Sequence, residues 1–130
     1  MDEGKKKRVL IIEDEPPMLQ ALNDALTGAG FETLLAGDGE EGLRMALQQK
    51  PDIILLDILM PKIDGMTMMK KIREDAWGKK VPMIILTNVN PDSDATINAV
   101  VENQPAYYLI KSDMTLEVIL EKVKEVLKLS

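Results

Sequence analysis

The stretch VLIIEDEPP, from Val9 to Pro17, contains the pattern on which the fold depends. Its four branched apolar residues predict a short strand buried on both faces, because a strand with one solvated face alternates apolar and polar residues. Pro16 and Pro17 suit the first turn of a helix, where a missing N–H leaves no intrahelical hydrogen bond unmade. Three acids separate the two elements. The stretch therefore predicts a strand, a charged connection and a helix.

The same unit recurs along the chain. Four of the five apolar runs are continuous, which favours strands covered on both faces of a parallel sheet. The second run is interrupted by Glu32 and Thr33 and is predicted to lie at a sheet edge. The runs are VLII from Val9, FETLLA from Phe31, DIILLD from Asp52, VPMIILT from Val81 and YYLIK from Tyr107. Strand and helix alternating five times predict an α/β protein with a three-layer, doubly wound (βα)5 parallel sheet.

Proline and glycine residues indicate most of the expected helix ends. The first helix is predicted to begin at Pro16 and to end at Gly28 to Gly30, the second to run from Asp38 to Pro51, and the third to stop at Gly78. The fourth is the poorest helix, because β-branched residues and Asn98 have low helix propensity, so it is a candidate for local mobility. The last helix is predicted to share one apolar face among Leu116, Leu120, Val123 and Leu127.

Composition excludes several classes of protein. A chain of 130 residues, 45% hydrophobic and 29% charged, is expected to form one domain over residues 1–130, with residues 1–6 as a flexible lead-in. A net charge of -6 argues against direct DNA binding. No apolar stretch approaches the roughly 20 residues that span a bilayer, and no signal-peptide core is present, so we expect a cytoplasmic protein without membrane insertion. Without cysteine or histidine, any metal must be a hard ion bound by oxygen.

Polar residues stand directly after the predicted strands, where ligands bind in doubly wound folds. They are Glu13, Asp14, Asp57, Thr87 and Lys111. Two carboxylates 4 Å apart repel by about 4 kcal/mol at an effective dielectric constant near 20, so a cation is expected among the acids. Mg²⁺ (or Mn²⁺) fits best, because it binds one or two carboxylates and completes its octahedron with water and phosphate oxygens.

The remaining strand-end residues suit phosphoryl chemistry. Lys111 offers a point charge and Thr87 a hydroxyl donor for phosphoryl oxygens. Asp57 is a candidate nucleophile that forms an aspartyl phosphate. Because the chain contains no histidine, it must obtain the phosphoryl group from another molecule.

Four motifs together resemble the receiver domain of two-component response regulators, in particular the single-domain chemotaxis regulators. They are IIEDE, DIILLDILMPKIDG, IILTN and YYLIKS, and the resemblance runs from Lys7 to Leu129. It implies the flavodoxin-like strand order 2-1-3-4-5. It also implies that Asp57 is the phosphoacceptor, that Thr87 and Lys111 bind the phosphoryl group, and that Tyr108 is the aromatic switch residue. The metal ligands would be Glu13, Asp14, Asp57 and the backbone carbonyl of Leu59.

The function implied by this resemblance is a phosphorylation-activated signalling switch. Such a protein catalyses its own phosphorylation and dephosphorylation rather than turning over an external substrate. The implied donor is a sensor histidine kinase or a histidine phosphotransfer protein, docking near the first helix. No DNA-binding segment follows the last helix before Ser130, so we expect output through an unknown downstream protein target. A receiver excised from a longer regulator would look the same.

Several positions depart from the family pattern. Ser112 follows Lys111 where the family usually has a cis-proline, so either the loop carries strain or Lys111 is presented differently. Asn88 is larger than the usual residue after the threonine, and is expected to narrow the phosphoryl pocket or to hydrogen-bond within it. Pro61, Asp64 and Gly65 are expected to shape a turn, with Gly65 adopting a backbone conformation that other residues resist.

Three other functions are compatible with parts of the pattern. A pseudo-receiver would bind partners constitutively, but the full set of site residues argues against a decayed site. An FMN-binding flavodoxin would need a glycine- and hydroxyl-rich phosphate loop where EDEPP stands. A magnesium-dependent phosphatase or nuclease would be expected to show a paired D-x-D motif after a strand.

Overall fold

The computed structural model describes residues 6–59, 64–90 and 94–129. In these residues five parallel strands form one sheet in the order β2-β1-β3-β4-β5, which confirms the predicted fold and strand order. The strands are β1 (Arg8–Ile12), β2 (Glu32–Ala36), β3 (Ile53–Leu56), β4 (Met83–Thr87) and β5 (Tyr107–Ile110). The predicted edge position of the second strand is also confirmed. The lead-in at residues 1–5 and Pro61 lie outside the described residues.

Helices cover both faces of the sheet. They are α1 (Pro16–Gly28), α2 (Gly39–Gln49), α3 (Gly65–Glu74), α4 (Asp94–Asn103) and α5 (Leu116–Val126), with a 3₁₀ turn at Lys111–Asp113. Alternate residues of β1 enter different cores: Leu10 and Ile12 pack on the side of α2 and α3, and Val9 and Ile11 on the side of α1 and α5. This alternation explains why the strands read as continuous apolar runs. No helix in the described ranges has the length and apolar character needed to cross a membrane.

Two helices differ from their predictions, α3 in where it ends and α5 in which residues form its apolar face. The prediction that α3 reaches Gly78 is wrong, because the chain leaves helical geometry at Asp75 (φ -78°, ψ 143°), whose carboxylate accepts from the Trp77 N–H at 2.9 Å. The predicted apolar face of α5 is wrong at Leu116, which is 39% exposed. Ile119 and Val123 centre the buried face, and Leu116 lies at its open end in the first turn.

Gly65 is required for space rather than for an unusual backbone angle. In the described part of the chain, the only glycine with positive φ is Gly30 (96°), so the predicted reason for Gly65 is wrong. A Cβ on Gly65 would lie 2.4 Å from the Cα of Ile58 and 2.7 Å from the carbonyl oxygen of Asp57. The start of α3 therefore packs directly against the segment that follows β3, and fixes the position of that segment.

Arg73 donates to four backbone carbonyls on the α3 side of the sheet. Its guanidinium donates to the carbonyls of Asn103 at 2.9 Å, Gly78 at 2.9 Å, Val81 at 2.6 Å and Gln104 at 3.1 Å. Burial lowers the pKa of Arg73, but a guanidinium stays charged at neutral pH. The contacts attach the carboxyl-terminal end of α4 to the end of α3 and to the chain entering β4.

We expect Arg73→Ala to lower the free energy of unfolding by about 2 to 3 kcal/mol, because three partly buried carbonyls and one exposed carbonyl lose a charged donor. Urea denaturation measures this change. Arg44→Ala is the matched control, since Arg44 is exposed on α2 and donates only to Gln48 at 3.4 Å among the recorded bonds. Its effect should stay within about 0.5 kcal/mol. Equal losses in the two variants would contradict the anchoring role of Arg73.

Candidate functional site

Two neighbouring strands bring three acids together. Ile12 of β1 pairs with Leu56 of β3, so the next residues of the two strands, Glu13 and Asp57, lie side by side. The Asp57 N–H donates to the Ile12 carbonyl at 3.1 Å, which extends this pairing to the site. Carboxylate oxygens of Glu13, Asp14 and Asp57 all lie within 4.8 Å of one another. Glu13 is 2% exposed and Asp57 5% exposed, whereas Asp14 faces solvent.

Lys111 places its ammonium among these acids. Its Nζ lies 2.6 Å from Glu13 Oε1, 2.6 Å from Asp57 Oδ2 and 3.0 Å from Glu15 Oε1, and the side chain is 8% exposed. The positive charge expected from the acidic run is therefore partly supplied by the protein itself. With Asp14, the site still holds four carboxylates and one ammonium, so its charge favours a further cation.

Thr87 and a backbone amide hold the other oxygen of Asp57. Thr87 is fully buried at the end of β4, and its hydroxyl donates to Asp57 Oδ1 at 2.6 Å. The Leu59 N–H donates to the same oxygen at 3.0 Å. Each oxygen of the Asp57 carboxylate thus has a protein donor, which fixes the orientation of this side chain at the mouth of the sheet.

The pKa values reflect burial opposed by pairing. Burial raises the pKa of Glu13, and the hydrogen bonds from Lys111 and from the Glu15 N–H offset this effect only in part. Burial alone would lower the pKa of Lys111, but its hydrogen bonds to Asp57, Glu13 and Glu15 outweigh that effect and raise it. Lys111 is consequently a permanent cation at neutral pH.

Asp57 and Lys111 open into a cavity of about 320 Å³. Asp57, Thr87 and Lys111 contribute to its wall, and Leu59, 70% exposed, contributes to its rim. The remaining lining residues are Asp14, Glu15 and Asn88. A polar, solvent-open cavity with a carboxylate, a hydroxyl and an ammonium at its base can receive a small charged group such as a phosphoryl group.

Tyr108 lies behind this cavity rather than in its wall. It is half-buried, packs against the core on the α3 side of the sheet, and its hydroxyl donates to the Val89 carbonyl. Val89 is two residues after Thr87, so Tyr108 contacts the connection that leaves the site toward α4. This position suits the predicted switch role.

Two contacts of the site were not predicted. The sequence signal for Glu15 was the third acid of the EDE run, but its pairing with Lys111 depends on the reach of a long side chain. Asn88, expected to narrow the pocket or to hydrogen-bond within it, lines the cavity and accepts a hydrogen bond from the Ser112 N–H at 2.9 Å. No local pattern predicts Ser112 as its partner. The peptide bonds of the described residues are all trans, and Lys111 nevertheless reaches Asp57.

The family model for the response regulator receiver domain matches residues 9–124. The chain belongs to this family. Among curated relatives of this receiver, protein PilH of Pseudomonas aeruginosa is 34% identical over 87 residues, which cover 67% of this chain and 72% of PilH. The DNA-binding dual master transcriptional regulator RpaA of Synechocystis is 36% identical over 87 residues, or 67% of this chain.

The receiver spans 36 to 37% of the length of RpaA and other curated relatives. Among solved structures it resembles the receiver domain of the sensor histidine kinase PA1611 from Pseudomonas aeruginosa, in which a magnesium ion is coordinated in the active-site cleft. The two share 27% identity with a TM-score of 0.81, over 92% of this chain and 96% of the other. The acidic group found here is therefore set in a fold for which a magnesium site is known.

We expect Asp14→Asn to stabilise the protein in the absence of divalent cations, by a few tenths to about 1 kcal/mol, because one of three repelling carboxylates loses its charge. The same variant should gain less stability than the wild type from millimolar Mg²⁺, because binding to the folded state is weakened. Thermal unfolding with and without Mg²⁺ measures both effects.

The control for this experiment is Asp24→Asn on α1. Asp24 is exposed and accepts from the Gln20 amide at 2.8 Å, a bond that an asparagine oxygen can also accept. Asp24→Asn should change neither the stability without divalent cations nor the stability gained from Mg²⁺. A wild-type-like response of Asp14→Asn to Mg²⁺ would argue against a cation among these acids.

Proposed function

We propose that this receiver is a phosphorylation-controlled signalling switch in which Asp57 accepts a phosphoryl group in a Mg²⁺-dependent reaction. The observation that supports this most strongly is the placement of Asp57. It is nearly buried, its two oxygens accept from Thr87 and Lys111, and it opens into a solvent-accessible cavity beside two further acids. A purely structural carboxylate would need no open cavity in front of it.

The donor set suits a hard divalent cation. Glu13, Asp14 and Asp57 would hold Mg²⁺ or Mn²⁺, with the Leu59 backbone carbonyl as a further ligand, because oxygen ligands are what these ions prefer. When bound, the ion supplies positive charge to the phosphoryl oxygens during transfer. The carboxylates of Glu13 and Asp14, which follow β1, would hold the ion beside Asp57.

Transfer requires only one bond to form and one to break at phosphorus. A carboxylate oxygen of Asp57 attacks the phosphorus of a phosphohistidine, and the P–N bond breaks with its electron pair left on the imidazole nitrogen. Lys111 and Thr87, which now donate to the two oxygens of Asp57, would donate to the phosphoryl oxygens and so stabilise their charge. The chain has no histidine of its own to carry the phosphoryl group, and its membership of the receiver family supports a sensor histidine kinase or a histidine phosphotransfer protein as the donor.

Thr87 and Tyr108 would transmit the phosphorylated state to the surface. The Thr87 hydroxyl accepts from the Val89 N–H, and the Val89 carbonyl accepts from the Tyr108 hydroxyl. If Thr87 turns toward a phosphoryl group, Val89 would shift and Tyr108 would shift with it. The adjoining helix α4 has weak intrinsic helix propensity, which suits an element with two states of similar energy. In this proposal residues 1–130 form a single receiver domain, which lies in the cytoplasm. Its output passes to a downstream protein target.

Incubation with acetyl phosphate and Mg²⁺ should add one phosphoryl group to the wild-type protein, detected by intact mass spectrometry. Asp57→Ala should show no addition, because the nucleophile is absent, and EDTA should abolish addition to the wild type. Asp113→Ala, which removes an exposed aspartate of the 3₁₀ turn, is the control and should be phosphorylated normally. No addition to the wild type would favour a pseudo-receiver, and addition that survives Asp57→Ala would place the acceptor elsewhere.

Replacing Tyr108 by phenylalanine removes the hydroxyl bonded to Val89 and keeps the ring. We expect the rate of phosphorylation by acetyl phosphate to change less than about twofold, because Tyr108 does not line the cavity. The backbone amide shifts of residues 94–103 on phosphorylation, measured by NMR, should become smaller than in the wild type. Tyr107→Phe on the same strand is the control. Unchanged shifts in Tyr108→Phe would remove Tyr108 from the switch.

A further inference from the structure

A side-chain bond joins the two loops that carry Thr87 and Lys111. The backbone pairing of β4 with β5 ends at Thr87 and Ile110. Beyond this pair, Asn88, the residue after Thr87, accepts through its Oδ1 from the N–H of Ser112, the second residue after Ile110, at 2.9 Å. The bond therefore continues the connection between the two strands past the end of the sheet, into the wall of the cavity that Asn88 shares with Lys111.

The position of the Lys111 backbone matters because its ammonium works at the end of a long stem. The ammonium must reach Asp57 beyond β3 and Glu13 beyond β1, both at 2.6 Å. Ordering a lysine side chain costs conformational entropy, and a mobile backbone would add to that cost. Within the 3₁₀ turn, the Met114 N–H donates to the Lys111 carbonyl at 3.1 Å, so the turn is held from its far side as well.

We propose that Asn88 is a positioning residue for phosphoryl transfer: its side-chain oxygen anchors Ser112 and so holds the Lys111 ammonium on Asp57. This inference rests on the proposed function of Asp57. It gives a purpose to the pairing of an asparagine at position 88 with a residue at position 112 whose backbone N–H can donate. A proline at position 112 would have no N–H to donate, and the anchor would then have no purpose.

The test is a double-mutant cycle with Asn88→Ala, Ser112→Pro and the double variant, using acetyl phosphate and Mg²⁺ and intact mass to measure the phosphorylation rate. Asn88→Ala alone should slow phosphorylation roughly 3- to 10-fold, the loss of one neutral hydrogen bond expressed as a rate. In the Ser112→Pro background the same change should alter the rate less than about twofold. Asn90→Ala, an exposed asparagine of the same loop, should behave as the wild type.

An equal loss in both backgrounds would show that Asn88 acts through its bulk or through folding, and would overturn the proposal. So would a wild-type rate in Asn88→Ala. Because the predicted quantity is the coupling between two positions, a general loss of stability does not reproduce it.

Hydrogen exchange of the Ser112 amide, followed by NMR, tests the anchor without any phosphorylation. Asn88→Ala should speed this exchange several-fold, whereas Asn88→Asp, which keeps the acceptor oxygen, and Asn90→Ala should not. Unchanged exchange in Asn88→Ala would overturn the anchor even if Ser112→Pro fails to fold. A wild type that takes up no phosphoryl group would instead contradict the function of Asp57, and the exchange result would still decide the anchor.

Discussion

The ion pairing of Lys111 with the acids at the ends of β1 and β3 is the interaction on which the site depends. Unpaired buried carboxylates such as those of Glu13 and Asp57 are strongly disfavoured, and the exposed Asp14 carboxylate within 4.8 Å adds to their repulsion. One ammonium at 2.6 Å from two of these acids makes the arrangement stable enough to persist while leaving an excess of negative charge. That excess would favour the divalent cation proposed for the site. The same ammonium is correctly placed to receive the charge of a phosphoryl group.

The sheet determines where these groups meet. β3 lies between β1 and β4, so a residue at its end is flanked by the ends of both neighbours. Asp57 accordingly contacts Thr87 from one side and lies beside Glu13 on the other. The close approach of Gly65 to Ile58 and to the Asp57 carbonyl fixes this segment from the α3 side. A change in strand order would separate the acids from Thr87 and Lys111.

The sequence allowed the fold and the composition of the site to be predicted because both follow from parallel register. Continuous apolar runs identify buried strands, and the residue after each run must then lie at one edge of the sheet. Glu13, Asp57, Thr87 and Lys111 were found in this way, and they do lie together.

The features that were missed depend on contacts between loops or on packing. Asp75 ends α3 before the glycine that punctuates the sequence, and the close contact that makes Gly65 necessary cannot be read from a turn propensity. The bond between Asn88 and Ser112 spans 24 positions of sequence, between loops whose separation is known only once the strands are paired. Local patterns therefore predict elements and their ends, whereas side-chain reach and loop contacts require the folded chain.

A crystal structure of the protein with Mg²⁺ and beryllium trifluoride, a mimic of the phosphoryl group, would test the central claim most directly. The account predicts the mimic on Asp57, with Thr87 Oγ1 and Lys111 Nζ donating to its fluorines and the cation held by Glu13, Asp14 and Asp57. Lys111 remaining on Glu13 and Glu15 with no cation among the acids, or the mimic bound at another residue, would contradict it.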